Sequence, residues 1–430
     1  MIKKELINLD LNLYEETLEN GLRIFVVPKK DTESIYATFT TNFGGYNTEF
    51  IPNGENDFVK VPDGIAHFLE HKMFETESGI DVMTQFSKQG VSCNASTNFF
   101  KTTYLFDGSS CFKENLNLLL DYVQEPYFTL ENVEKEKPII EQEIDMSADN
   151  PYAVGMQKLM SNIFINDPSK ISVIGTKESI NKITKEDLYT CYNTFYHPAN
   201  MFLVLTGNVN PEEVIELVKE NQNKKTFPKY EKPILKEYTE PMEVEKEKEV
   251  INMNITVPKV SLGYKFDLDK IKDKLNLDEV ALRRYISIYA NLKFGGVSNF
   301  LDTLRKDLII TSSIDYSIYS TDHTLVLFLE TDTKNEEEYL NRIKEEVLIK
   351  EIDERLFNLK KKSMIASCIY MSENIYSINQ KIMGDIIDHD SIEVDVLNNF
   401  KALNYVDFMR VVDELDFTVS SCLVVNPIEK

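Results

Sequence analysis

The sequence predicts an α+β protein of two similar halves, each an antiparallel-rich sheet with helices packed on one face. A chain of 430 residues with 42% hydrophobic content exceeds a single ordinary core, so we expect two domains. Residues 224–250 are rich in Lys, Glu and Pro and show little periodicity, which is typical of a linker. The order of predicted strands and helices is similar before and after this linker. We therefore predict domains at residues 1–223 and 251–430.

In the first half, apolar β-type runs alternate with patterns of helical period. Asp63 precedes the first helical run and is its predicted N-cap. The predicted strands are Leu22 to Val27, Tyr36 to Phe43, Thr103 to Phe106 and Met201 to Thr206. The other predicted helices are Asn115 to Gln124 and Asn132 to Ser147.

The second half repeats this kind of order without a second metal-binding motif. The predicted helices are Leu277 to Asn291, Glu336 to Glu346 and Glu354 to Met371. The predicted strands are His323 to Glu330, which is strongly apolar, and Thr418 to Val425, which closes the second sheet.

The most informative motif is His-x-x-Glu-His, formed by His67, Glu70 and His71. Positions four apart on a helix lie one above the other, so both imidazoles can face one metal ion while Glu70 sits on the adjacent turn. This pattern predicts half of a zinc site together with the base for hydrolysis. The alternative is an amphipathic helix that carries these residues without a metal.

A catalytic zinc ion usually takes three protein ligands, so a third ligand must lie elsewhere in the chain. No cysteine lies near the motif in sequence, and His197, His323 and His389 show no ligand-like spacing. A carboxylate is therefore favoured. The acidic run from Val133 to Asp145 has apolar residues at helical intervals and supplies several candidates.

The motif, followed about seventy residues later by Glu-Lys-x-x-Ile-x-x-Glu, resembles the pitrilysin family of zinc peptidases with an inverted motif. That family includes insulin-degrading enzyme and mitochondrial processing peptidase, whose subunits are built from two such halves. By this resemblance Glu143 is the third ligand, and Glu136, two turns earlier on the same face, is a second active-site acid that helps to order the site. Glu141 competes as ligand because the spacing from His71 is shorter than in the best-known branches, although it would point away from that face.

The stretch from Gly90 to Thr97 resembles the family's Gly-x-x-x-Asn-Ala segment, which is an edge strand beside the active site. An exposed sheet edge can hold an extended peptide by strand addition. The resemblance therefore implies substrate contacts at Asn94, Ala95 and Ser96, whereas the residues alone also fit an ordinary turn. The segments from Val173 to Ile180 and from Phe195 to Gly207 match the family pattern as well and are interpreted as structural.

In the family, the second half often carries an Arg and a Tyr seven residues apart that stabilise the substrate oxyanion. Arg305 matches the arginine, but Ser312 stands in the tyrosine position. Either Tyr316 or Tyr319 substitutes, or another subunit supplies the pair. The second alternative is favoured because half-length relatives commonly pair a zinc-bearing chain with a homologous chain that lacks zinc, and a homodimer is the other possibility.

Charge and cysteine content restrict the partners and the compartment. A net charge of −24 disfavours binding to nucleic acid and to anionic membranes, and it would attract basic peptides. The five cysteines have no close pairing, so we expect them to be reduced and mostly buried. The first residues lack an apolar run of signal-peptide length, and the expected location is the cytoplasm.

The resemblance implies a zinc metalloendopeptidase with one zinc ion per chain, acting on short or unfolded peptides bound as an added strand. Two non-catalytic alternatives remain open at this point. One is an assembly subunit stabilised by zinc, and the other is a zinc-containing module that binds peptides without cutting them.

Overall fold

Strands and helices follow one another along residues 1–428, which the computed structural model describes. The strands are β1 (Ile2–Leu6), β2 (Leu11–Thr17), β3 (Arg23–Pro28), β4 (Ile35–Thr41), β5 (Glu49–Ile51), β6 (Val59–Lys60), β7 (Ser92–Thr97), β8 (Thr102–Gly108), β9 (Met201–Gly207), β10 (Ile234–Leu235), β11 (Lys248–Met253), β12 (Lys259–Asp267), β13 (Asp315–Ser320), β14 (Thr324–Asp332) and β15 (Ser420–Pro427). The helices are α1 (Ile65–Lys72), α2 (Val82–Lys88), α3 (Phe112–Gln124), α4 (Leu130–Ala148), α5 (Pro151–Ile163), α6 (Lys177–Ile180), α7 (Lys185–Phe195), α8 (Pro211–Gln222), α9 (Leu268–Leu275), α10 (Glu279–Phe294), α11 (Asn299–Lys306), α12 (Glu336–Leu348), α13 (Glu354–Met371), α14 (Ile375–His389), α15 (Val396–Ala402) and α16 (Tyr405–Glu414). The predicted α+β class is confirmed.

Two compact units divide this chain. The first unit comprises Met1–Ile144, Ser172–Glu237 and Ser367–Leu397, and the second comprises Asp145–Ile171, Tyr238–Ala366 and Asn398–Lys430. Each unit is therefore built from three segments that are separated from one another in the sequence. The predicted linker, residues 224–250, includes β10 in the first unit and the beginning of β11 in the second.

The main sheet of the first unit has the strand order β1-β2-β3-β9-β4-β8-β7. All neighbours are antiparallel except β3 and β9, which run parallel. The central strands β4 and β9 are buried at every position, as expected for apolar and β-branched runs. In this order β7 lies at the sheet edge, where the family resemblance places it. One face of the sheet carries a core that includes Phe39, Phe68, Leu119 and Leu203, with α1 and α3 packed against the sheet.

Helix α14, from the later part of the sequence, packs on β4 and β9 and covers part of the opposite face of this sheet. Its apolar side chains Ile378, Ile382 and Ile386 join a separate core cluster that contains Phe25 and Val204. The first sheet thus has α1 and α3 on one face and α14 on the other face.

The sheet of the second unit has the strand order β11-β15-β12-β14-β13. Strands β11 and β15 are parallel, and the other neighbours are antiparallel. Helix α5 packs against β12 and β15. In the part of the chain described by the structure, no helix combines the length and the apolar character that crossing a membrane requires.

The start of α1 differs from the prediction, because Gly64 rather than Asp63 is its N-cap. Gly64 has φ 89°, and a Cβ atom there would lie 2.8 Å from the carbonyl oxygen of Ile174. The segment at Ile174 and Gly175 therefore packs directly on the start of the helix, and only glycine fits. The Asp63 side chain caps nothing, and burial raises the pKa of its carboxyl above the usual value.

None of the five cysteines, all of which lie within the described residues, forms a disulfide bond. Cys191 and Cys422 are buried, Cys93 and Cys368 are partly buried, and Cys111 is exposed. The expectation that most of the cysteines are buried is wrong, because only two of the five are buried.

Candidate metal centre and active site

Helix α1 places several polar side chains in the protein interior. Its eight residues, Ile65 to Lys72, are all buried except His71, and the buried set includes His67, Glu70 and Lys72. Burial of such groups is unfavourable unless each finds a partner. The composition of this helix therefore indicates a site and not only a packing element.

Three potential metal ligands converge between α1 and α4. The ligand atoms of His67, His71 and Glu143 all lie within 4.8 Å of one another. Nε2 of His67 is 3.5 Å from one carboxylate oxygen of Glu143, and Nε2 of His71 is 3.5 Å from the other. The two rings are close neighbours, with their centroids 4.6 Å apart. The structure thus brings together the three residues that the sequence and the family resemblance selected.

These distances fit a tetrahedral zinc ion. Ligand atoms about 2.1 Å from such an ion lie about 3.4 Å from one another, close to the observed separations. Two imidazole nitrogens and one carboxylate are also a ligand set known for catalytic zinc sites, which leave one position open. Nδ1 of His67 is buried and has no hydrogen-bond partner among the described residues. The donor set therefore fits zinc, with Nε2 of both histidines as the coordinating atoms.

Glu136 lies behind His71, on the side away from Glu143. Its Oε1 is 3.0 Å from Nδ1 of His71, and its Oε2 accepts a hydrogen bond of 3.3 Å from Nζ of Lys72. Lys72 is fully buried and also contacts Glu75, with 2.8 Å between Nζ and Oε1. A carboxylate that accepts a hydrogen bond from the distal N–H group of a metal-binding histidine fixes the orientation of the ring and its tautomer.

Glu70 is held by a residue of the edge strand. The hydroxyl of Thr97 donates a hydrogen bond of 2.6 Å to Oε2 of Glu70. Glu70 is only 8% exposed, and it does not belong to the triangle formed by His67, His71 and Glu143. It is therefore a buried acid on the motif helix that is not among the candidate metal ligands.

The electrostatic environment separates the acids of the site. Burial raises the pKa of Glu70 above its usual value, against the hydrogen bond from Thr97. Burial would also raise the pKa of Glu136, but the hydrogen bond with His71 and the charge of Lys72 outweigh it and lower the pKa. Contact with His67 lowers the pKa of Glu143, although partial burial opposes this effect. Of these three carboxylates, Glu70 is the one whose surroundings favour accepting a proton.

The competing ligand candidate does not join the site. Oε1 of Glu141 accepts a hydrogen bond of 2.6 Å from the side-chain amide of Asn181, at an exposed position. Glu141 is therefore on another face of α4 than Glu136 and Glu143, as helical geometry requires. Of the two candidates, the structure brings only Glu143 to the histidines.

The predicted substrate-binding residues Asn94, Ala95 and Ser96 all lie on β7, paired only with β8. Side chains on a strand alternate between its two faces. Ala95 packs against the core, on the same face as Thr97, whereas Asn94 and Ser96 are exposed. Only Ala95 thus shares the face of the strand that contacts α1.

Arg305 belongs to the second unit, where its Nε donates a hydrogen bond of 2.9 Å to the backbone oxygen of Ser312. The two candidate tyrosines make contacts inside that same unit. The Tyr316 hydroxyl accepts a hydrogen bond from the side chain of Asn291, and the Tyr319 hydroxyl bonds Ser169.

Two contacts of the site were missed by sequence reasoning, those of Thr97 and Lys72. Thr97 could have been found from the sequence, because it lies two residues after Ala95 and therefore on the same face of the predicted strand. Lys72 directly follows the motif on the same buried helix, where a lysine is unusual.

Comparison with known proteins identifies the class to which this fold and site belong. A family model described as Insulinase (Peptidase family M16) matches residues 59–177, which contain the whole site. A second model, described as Peptidase M16 inactive domain, matches residues 182–364. Together they cover most of the chain, which therefore belongs to peptidase family M16. The resemblance predicted from the motif is confirmed.

Individual relatives agree with this assignment. The chain is 47% identical over 312 residues to the uncharacterized zinc protease YmfH of Bacillus subtilis (strain 168), covering 71% of each chain. It is 28% identical over 213 residues to the beta subunit of the mitochondrial-processing peptidase of Caenorhabditis elegans, which is 47% of this chain and 42% of that one. A crystal structure described as an M16-like peptidase from Alicyclobacillus acidocaldarius superposes with a TM-score of 0.90 at 28% identity, over 98% of this chain and 100% of that one.

Proposed function

We propose that this chain is a zinc-dependent endopeptidase that hydrolyses peptide bonds in short or unfolded peptides. The observation that carries the proposal is the meeting of His67, His71 and Glu143 beside Glu70, a buried acid outside the ligand triangle. The name zinc protease carried by the B. subtilis relative supports the same chemistry.

In the proposed reaction His67, His71 and Glu143 would hold the ion, and Glu70 moves the proton. The chemistry supplied by a bound zinc ion is Lewis acidity, which polarises a carbonyl and acidifies water. Glu70 accepts a proton from water as the water attacks the scissile carbonyl, and then donates that proton to the leaving amine. Its raised pKa suits both steps, because a carboxylate in apolar surroundings accepts a proton more readily.

The substrate is proposed to bind as an additional strand along β7. This strand has a neighbour on one side only, and its Thr97 bonds Glu70, so an added strand would lie close to the base. Recognition through the backbone would accept many side chains. Peptides methylated on backbone nitrogens near the cleaved bond should then resist cleavage, whereas side-chain changes should matter less.

We further propose that the chain acts as the catalytic subunit of a two-chain peptidase, with a homologous chain lacking the zinc motif or with a second copy of itself. Ser312 stands where the family has a tyrosine, and this supports the view that another chain supplies the oxyanion-stabilising pair. The cysteines form no disulfide bond among the described residues, and this supports a reducing location, which we propose to be the cytoplasm.

The test compares the parent protein with Glu70→Gln, each analysed for zinc content and for cleavage of a peptide library. The variant should keep its zinc and lose turnover by a factor on the order of 10² to 10⁴, the range attributed to a positioned base. Glu77→Gln, an exposed glutamate just after the motif helix, is the matched control and should behave as the parent.

Two outcomes would contradict the proposal. Parental turnover in Glu70→Gln would remove Glu70 from its role. A zinc-loaded parent that cleaves no peptide, either alone or mixed with a homologous chain lacking the motif, would favour the non-catalytic assembly or peptide-binding alternative.

A further inference from the structure

Lys72 is a fully buried cation directly after the second histidine of the motif. Its Nζ lies 2.8 Å from Oε1 of Glu75 and 3.3 Å from Oε2 of Glu136. A buried ammonium group is tolerated only with good partners, and an apolar side chain of similar length would fill the same space without this requirement. Packing alone therefore does not explain why position 72 is a lysine.

The contacts of Glu136 indicate what Lys72 does in the site. The residue is 6% exposed, and its two carboxylate oxygens have different partners: Oε1 faces Nδ1 of His71, and Oε2 faces Lys72. Without Lys72 the second oxygen would lose the donor that restrains rotation of the carboxylate about its χ3 torsion, which is intrinsically broad. The orientation of Glu136, and through it that of the His71 ring, then depends on the lysine.

We propose that Lys72 is a positioning residue for the metal centre. By holding Oε2 of Glu136, it keeps Oε1 aligned to accept a hydrogen bond from the Nδ1–H group of His71. That tautomer leaves the lone pair of Nε2 directed towards Glu143, where the ion is expected. The inference rests on the proposed metal site, but it does not require that the protein cleave peptides.

The experiment measures zinc affinity of the metal-free full chain by competition with a chromophoric chelator. Lys72→Met keeps the length of the side chain and removes the donor, and its zinc dissociation constant should rise about tenfold or more, the range known for residues that orient metal ligands. Lys88→Met, at an exposed position on α2, is the matched control and should stay within twofold of the parent. The same two variants loaded with Co²⁺ should differ in their visible absorption, because only Lys72→Met changes the ligand geometry.

A double-mutant cycle with Glu136→Gln separates positioning from a general effect on folding. If Lys72 acts through Glu136, Lys72→Met should weaken zinc binding much less in the Glu136→Gln background than in the parent. Glu75→Gln removes the other partner of Lys72 and should change the dissociation constant less than threefold. Equal losses in Glu75→Gln and Lys72→Met would overturn the proposal, because they would indicate an effect of local charge and not of Glu136 orientation.

If Lys72→Met does not fold, Lys72→Gln takes its place, since the amide keeps a donor but not the charge. Its zinc affinity should fall between those of the parent and Glu136→Gln. A folded variant at position 72 with parental zinc affinity and a parental Co²⁺ spectrum would overturn the proposal. A chain that binds zinc as expected in all variants, yet cleaves nothing, would refute the peptidase function and leave the role of Lys72 standing.

Discussion

The hydroxyl of Thr97 on the edge strand β7 donates a hydrogen bond of 2.6 Å to the carboxylate of Glu70 on the motif helix α1. It links the strand to which a peptide is proposed to add with the residue proposed to move the proton. Thr97 also contacts the hydroxyl of Thr102 on β8, at 3.2 Å, so the bond is supported from within the sheet. The orientation of Glu70 is thus set by the same strand that would hold the substrate.

Replacing Thr97 by Val should lower kcat by about tenfold or more, with a smaller effect on KM. The substitution keeps the β-branched shape and removes one hydrogen bond to a charged group, a contact worth about 1.5 to 3 kcal/mol. Steady-state kinetics on a peptide substrate checks this prediction. Thr97→Ser, which keeps the hydroxyl, should retain most of the activity, and Ser92→Ala tests whether any change on β7 has the same effect. An unchanged kcat in Thr97→Val would show that the bond does not orient the base.

Replacing Glu143 by Gln should remove zinc from the protein, whereas Glu141→Gln should not. Glu143 is the carboxylate that lies 3.5 Å from Nε2 of both histidines, and Glu141 instead bonds Asn181. A neutral amide is a much poorer ligand, so we expect zinc affinity to fall by a factor on the order of 100 or more. The zinc content of both variants, measured after exchange into chelator-free buffer, checks this prediction. Zinc loss in Glu141→Gln with retention in Glu143→Gln would reverse the assignment.

The part of the candidate site that the sequence can predict is the spacing of residues within one helix. His67, Glu70 and His71 are fixed by helical spacing alone, and the two-turn separation of Glu136 and Glu143 on α4 predicted their common face. The contacts of Thr97 and Lys72 depend on which strand and which helix meet α1. That information is not contained in any single segment, and only the fold supplies it.

Other differences also arise from contacts that are distant in sequence. Asp63 has the residue type of an N-cap, but close packing of Ile174 on the helix start requires Gly64 in that position. Residues 145–171 belong to the second unit and residues 367–397 to the first, although local periodicity gives no sign of it. The highly charged segment from 224 to 250 contains a side chain that is almost completely buried, that of Glu240.

Glu240 provides a prediction about the stability of the second unit and its dependence on pH. Its carboxylate accepts hydrogen bonds from the backbone N–H groups of Ile165, Asn166 and Asp167, and from Nζ of Lys265 at 2.6 Å. Burial would raise the pKa of Glu240, but Lys265 and these backbone donors outweigh it and lower the pKa below its usual 4.5. A carboxyl with a lowered pKa in the folded state stabilises that state above the unfolded pKa, and this contribution is lost as the pH falls below about 4.5.

Glu240→Gln should therefore reduce the free energy of unfolding by about 3 to 5 kcal/mol at pH 7, because it leaves Lys265 buried without its anionic partner. The difference from the parent should shrink as the pH is lowered from 5 through 4.5 and below, since the parent carboxyl then becomes protonated as well. Urea unfolding at a series of pH values, followed by a signal from the second unit, measures both quantities. Glu245→Gln, an exposed change in the same segment, should have little effect at any pH. A difference between Glu240→Gln and the parent that stays constant down to pH 4 would contradict the prediction, because it would show that folding does not change the pKa of Glu240.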